Sequence, residues 1–204
     1  MTEGNSIRSV ERMTNIHRDT ITRLLCRVGK GCENLLDEKM VNLNCRSIQV
    51  DEIWTFIYKK QGHLTQKERK LRPDLGDQYV FISLDAHTKI VPCYQIGKRN
   101  SETAIKFMLN LEKRLTNHVQ ITTDAFNAYY DAIDFAFGGE IDYAIVHKRF
   151  VENGERRYSP PTIIGVFHQI MQGSPRKKII STSFVERSNL TMRMSMRRFT
   201  RLTN

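Results

Sequence analysis

The chain has 204 residues, 40% of them apolar, and a formal net charge of +10 with a pI near 9.6. That apolar content suits one medium domain with a small extra module and excludes a disordered chain, and no stretch approaches the roughly 20 apolar residues of a transmembrane helix. The cation excess points to a polyanionic partner, nucleic acid before a membrane surface, while the four Cys and six His form no C-x-x-C or H-x-x-x-H pair, which disfavours zinc and leaves reduced thiols in an intracellular chain.

Residues 5–29 read as two short helices around a tight turn. Ile7, Val10 and Met13 form one apolar stripe, and Ile21, Leu24, Leu25 and Val28 form a second at helical spacing. Thr14-Asn15-Ile16 separates them, and Gly29 and Gly31 are expected to end the second helix. The spacing is that of a helix-turn-helix, with Arg18, Thr22 and Arg23 at the start of the second helix as candidate DNA contacts; a plain αα-hairpin fits the same pattern. Residues 1–45 form this segment and 46–204 the remaining domain.

Residues 47–58 alternate and are rich in β-branched and aromatic side chains, which predicts a strand. A basic stretch, 59–72, reads as loop. Strands follow over 79–86 and 90–96, then a helix over 101–115 capped by Ser101, a strand over 119–123, a helix over 126–136 and a strand over 142–147. The stretch 150–180, with Gly154, Pro160, Pro161, Gly173 and Pro175, reads as loop with a helical piece near Ile163–Met171. Residues 184–199 form a final helix. Three meander strands followed by strands joined through helices give an α/β fold with a mixed sheet flanked by helices, in the order of a ribonuclease-H-like domain.

Three acids stand out. Asp51 lies within a strand, where Asp is depleted and a buried charge is costly unless paired or bound to metal. Asp124 stands where a strand gives way to a helix, the end of α/β sheets at which sites collect. Glu186 is the single acid among ten Lys and Arg in residues 156–204. Three carboxylates on three elements can hold two divalent cations for phosphodiester displacement, using hard oxygen donors and no His or Cys. Each has a plainer reading. Ser183-x-x-Glu186 fits a capping box, Asp124 fits an N-cap, and Glu52 replaces Asp51 as ligand if the register shifts by one. Along the last helix, Arg193 and Arg197 follow Glu186 as phosphate contacts, beside an apolar face of Val185, Asn189, Met192, Met196 and Phe199; the plainer reading there is a solvated basic face.

Four segments carry a resemblance: Val50-Asp51-Glu52-Ile53-Trp54, Thr123-Asp124-Ala125-Phe126-Asn127-Ala128-Tyr129, Phe184-Val185-Glu186-Arg187-Ser188-Asn189-Leu190-Thr191-Met192-Arg193, and Arg197-Arg198-Phe199-Thr200-Arg201-Leu202-Thr203. In this order they resemble the DDE family of bacterial insertion-sequence transposases. The resemblance implies a ribonuclease-H-like core over 46–204 and a catalytic, metal-binding triad of Asp51, Asp124 and Glu186. It also implies two Mg2+ or Mn2+ ions, cleavage by water at element ends, and strand transfer by the freed 3′-hydroxyl. Arg187, Asn189, Arg193, Arg197, Arg198 and Arg201 would meet double-stranded DNA, and Arg18, Thr22 and Arg23 the element end. A homo-oligomer in the bacterial cytoplasm, at the nucleoid and away from membranes, is implied when the enzyme is active. Family members continue beyond the last motif and often begin with a zinc-binding module, so the chain is expected to be clipped at both ends. The interval from Asp124 to Glu186 is long for the family, which leaves Glu140, Glu152 and Glu155 as alternative third acids. A non-catalytic DNA-binding repressor and a nuclease of the same fold are the alternative functions.

Overall fold

A computed structural model describes residues 2–151 and 162–199. Arg156, Arg157 and Arg201, together with Glu152 and Glu155, lie outside the described residues. The element order is α1 Ile7–Thr14, α2 Arg18–Lys39, β1 Ser47–Ile57, α3 Gln66–Leu71, β2 Gly76–Asp85, β3 Tyr94–Gly97, α4 Ser101–Glu112, β4 Val119–Thr123, α5 Ala128–Phe137, β5 Ile141–Val151, β6 Thr162–Gln172 and α6 Ser183–Ser195. Six strands form one mixed sheet in the order β3-β2-β1-β4-β5-β6. β1, β2 and β3 make an antiparallel meander, β4 joins β1 in parallel, β5 joins β4 in parallel, and β6 returns antiparallel to β5. Among the described residues no helix is long and apolar enough to cross a membrane.

Alternation along β1 divides the molecule into two packed layers. Ile48 and Val50 face α4 and α5, joining Phe81, Phe107, Leu111, Tyr129 and Ile133 in the main core. Ile53 faces the other way and packs with Val80, Ile82 and Val185 under α6. Gln49, buried on that second face, accepts hydrogen bonds at Oε1 from the N–H groups of Phe184 (2.9 Å) and Val185 (3.1 Å). A strand side chain thereby caps the start of α6 and fixes it over β1. Gln49→Leu removes the acceptor from the buried Val185 N–H and the part-buried Phe184 N–H. It is expected to lower stability by about 1–3 kcal/mol in urea unfolding.

Several expectations are corrected. α2 does not end at Gly29 and Gly31 but continues to Lys39. Two helical glycines cost roughly 1 kcal/mol each. Against that, Arg114, buried between α4 and β4, donates to Leu36 O and Met40 O and pairs with Asp37, clamping the final turn. Of the stripe on this helix only Ile21 is buried, and Leu24 and Val28 are exposed. The expected helical piece near Ile163–Met171 is strand β6, paired with β5 from Thr162 to Gln172. Its β-branched run mattered more than the Gly and Pro around it. The expected 90–96 strand is confined to Tyr94–Gly97. Asn100, not Ser101, caps α4, accepting from Thr103 N–H. The 59–72 stretch holds the short helix α3, closed by a Thr65–Glu68 capping box. α6 stops at Ser195, and Arg197–Phe199 follow as one 3₁₀ turn.

Candidate metal centre

The parallel register of β1 and β4 brings two of the acids together. Ser47, Ile48 and Gln49 pair with Gln120, Ile121 and Thr122, and the two strands then part. Continued by two residues, that register sets Asp51 level with Asp124, in the crevice where the strands diverge. Crevices of this kind, beyond the carboxyl ends of parallel strands, are where α/β sheets hold ligands. One carboxylate oxygen from each of Asp51, Glu52 and Asp124 lies within 4.8 Å of the others. A cluster of three acidic residues that could bind a metal ion is therefore present.

Each member is held differently. Asp51 Oδ2 accepts from Asn189 Nδ2 at 2.8 Å, so α6 orients it. Glu52 points to the opposite face of β1, with its side chain only 5% exposed, and its Oε1 has no hydrogen-bond partner. The Tyr129 hydroxyl stands close enough to favour the Glu52 carboxylate electrostatically, yet the two atoms do not meet in hydrogen-bond geometry. Asp124 accepts at Oδ1 from Phe126 N–H at 3.0 Å. This is an Asx turn and not an N-cap, since Asn127 precedes α5. Arg99 bridges Glu52 and Asp124 at 3.6 and 3.5 Å, with its guanidinium 3.9 Å from the Phe126 ring centroid.

Burial and mutual repulsion raise the proton affinity of Asp51 and Glu52. Burial, then the charges of Asp124 and Glu186, pushes Asp51 up to about 6 against the bonds from Glu52 N–H and Asn189. Burial, then Asp124, pushes Glu52 up to about 7 against Tyr129 and Arg99. Carboxylates kept apart from solvent and crowded together are stabilised in their charged form by a cation. The orphaned Glu52 Oε1 and the all-oxygen donor set fit a hard divalent ion such as Mg2+.

Glu186 is in the first turn of α6, one turn before Asn189. Its Oε1 takes Thr182 Oγ1 and the Lys148 ammonium as partners. The Ser183 capping box is not formed; Thr182 precedes the helix and makes no side-chain cap. Glu186 is near enough to raise the Asp51 pKa but stands outside the three-acid cluster. Glu140 precedes β5, whose Ile141 pairs with Val119, at the far end of the parallel strands from Asp124. That position removes it as a third acid.

The cationic candidates spread over two regions. Arg187, Arg197 and Arg198 are exposed, while Arg193 is half-buried and donates to Phe199 O at 3.3 Å. Asn189 is buried on Asp51, so it positions a carboxylate. Arg18 and Arg23 are exposed on the first turns of α2, and Thr22 donates to Arg18 O. Sequence reasoning treated Glu52 only as a register alternative and did not single out Arg99 or Lys148. Alternation assigns Asp51 and Glu52 to opposite faces, and only the parting of β1 from β4 lets both reach one point. No protein-family model matches the chain, and no curated protein matches it either.

Proposed function

We propose that the chain is a DNA transposase with a ribonuclease-H-like core that cleaves and joins phosphodiester bonds using divalent cations. The observation that carries this reading is the Asp51–Glu52–Asp124 cluster at the parting of β1 and β4. The net charge of +10 and the motif resemblance agree with it. Asp51, Asp124 and Glu186 would hold two Mg2+ or Mn2+ ions, which would activate the attacking oxygen and stabilise the leaving one. Asn189 fixes Asp51 for that task, and Gln49 fixes the helix that brings Glu186. Lys148 pairs with Glu186, and Arg99 with Glu52 and Asp124, so both would have to give way to bound cations.

The test uses duplexes carrying the sequences that flank the coding region, incubated with the purified chain in Mg2+, beside duplexes with those ends scrambled. End-specific nicking supports a transposase. Equal nicking of both duplexes favours a nuclease, and binding without nicking favours a repressor. Glu52→Gln separates ligand from supporting roles. Glu52 would support the ions from the opposite face of β1, so its loss is expected to weaken apparent Mg2+ affinity by about 10–100-fold, with cleavage recovered at higher Mg2+. Glu186→Gln is expected to stay inactive at any Mg2+ concentration.

A further inference from the structure

Beyond the acids, Trp54 and Phe56 of β1 and Tyr58 just after it form the wall of a cavity of about 750 Å³. Its other sides come from Thr2 and residues 5–8 near the N-terminal end, Leu25 of α2, and the turn Arg197–Phe199. Trp54 is three residues past Asp51, or roughly 10 Å along an extended strand. The Trp54 and Phe56 rings lie 5.7 Å apart at 41°, and Lys60 Nζ stands 5.7 Å from the Trp54 ring centroid. Arg8, Lys60 and Arg198 stand among the lining residues, and no acid does. Tyr58 adopts φ of 67°, a left-handed conformation that a bulky aromatic residue rarely takes, and the residue is 66% exposed.

Aromatic faces beside cations, with no acid among them, match the two parts of a nucleotide. A duplex keeps its bases stacked on one another and offers phosphates, so it leaves such a wall unused. An unpaired strand offers both a flat π-face and a phosphate. Resting on the reading of the chain as a DNA enzyme, we propose that this cavity binds an unpaired stretch of a DNA strand. A base stacks on the Trp54–Phe56–Tyr58 wall, and the flanking phosphates lie against Arg8, Lys60 and Arg198. The strand so held leads toward the acid cluster along β1.

Trp54 is the sole tryptophan of the chain, so its emission reports on this cavity alone. The experiment titrates the full chain with an oligo-dT strand, and with a blunt duplex of equal nucleotide count, in EDTA so that no divalent cation takes part. Saturable change in Trp54 emission with the single strand, and little with the duplex, is expected. Tyr58→Asn, which suits the left-handed backbone and replaces an exposed ring, is expected to weaken single-strand binding about tenfold. Lys60→Ala is expected to shallow the salt dependence by about 0.7 in the log–log slope. Equal response to duplex, no response to either, or unchanged affinity in Tyr58→Asn overturns the proposal. An emission change that follows protein concentration without DNA, in step with dimer formation in sedimentation, also overturns it and assigns the cavity to a second copy of the chain. Because EDTA removes the metal reaction, failure of cleavage and failure of this site are read separately.

Discussion

Asp51→Asn is expected to reduce Mg2+-dependent strand cleavage by at least about a thousandfold, because direct metal ligation contributes several kcal/mol to a phosphoryl-transfer transition state. DNA binding should persist, since the exposed arginines Arg187, Arg197 and Arg198 lie elsewhere. The substitution keeps the shape of the side chain but turns one oxygen into a donor. Asn189 Nδ2 then faces a group that can still accept at the remaining oxygen, so the α6 contact survives. The fold should survive as well, and the metal-free variant should be at least as stable as the parent above neutral pH. A repulsive buried charge has been removed while the core around Ile53 and Val185 is untouched. Loss of cleavage without loss of folding or of gel-shift affinity is the expected pattern, measured on the same preparation.

The second large effect is a dependence of stability on pH that bound metal opposes. Glu52 is pushed up to about 7 in the folded chain from 4.5, and Asp51 up to about 6 from 3.8. Between those limits the folded state binds more protons than the unfolded chain, so stability falls as pH rises. The contribution is fully present below about pH 4 and lost above about pH 7. Its size is on the order of 3 kcal/mol for Glu52, the stronger case. Other acids pull the opposite way. Glu68, held down to about 2 chiefly by its bond with Lys59, contributes stability above pH 4.5 that is lost in acid. The parent and Glu52→Gln share that term, so their difference isolates the cluster. In EDTA, Glu52→Gln is expected to be more stable than the parent at pH 8 by on the order of 3 kcal/mol and equal to it at pH 4. Added Mg2+ should stabilise the parent at pH 8, by about 2.7 kcal/mol at a hundred times Kd, and have little effect at pH 5, where protons hold the carboxylates. Urea melts at both pH values, with and without Mg2+, measure all of these.

The order of elements was readable because it follows from local pattern. β1, β4 and α4 each carry a clear period of two or 3.6, and their positions agree closely with expectation. The failures came where tertiary partners decide. Nothing local to Gly29 and Gly31 reveals that Arg114, 74 or more residues beyond the carbonyls it binds, will hold the last turn of α2. β6 was expected to be a helical piece near Ile163–Met171, in a loop stretch marked by Gly154, Pro160, Pro161, Gly173 and Pro175, because nothing local reveals that its β-branched run pairs with β5. At the site, Asp51 and Asp124 were marked by being acids where strands are apolar, a signal present in sequence alone. Glu52 carried no such mark, since alternation places it on the opposite face. Its share in the cluster depends on the parting of two parallel strands after Gln49 and Thr122. Arg99 and Lys148 come from β3's exit and from β5, and ion pairing across a fold has no spacing in sequence.

Crystals of the chain soaked in Mn2+ offer the most direct measurement, because manganese scatters anomalously and replaces Mg2+ at oxygen sites. An anomalous peak about 2.1 Å from oxygens of Asp51 and Asp124, with Arg99 displaced from its bridge between Glu52 and Asp124, is the expected result. Crystals in which manganese occupies other carboxylates while these remain bare, with Arg99 still spanning them, would show that the acids at the β1–β4 parting form an internal salt bridge and hold no catalytic metal.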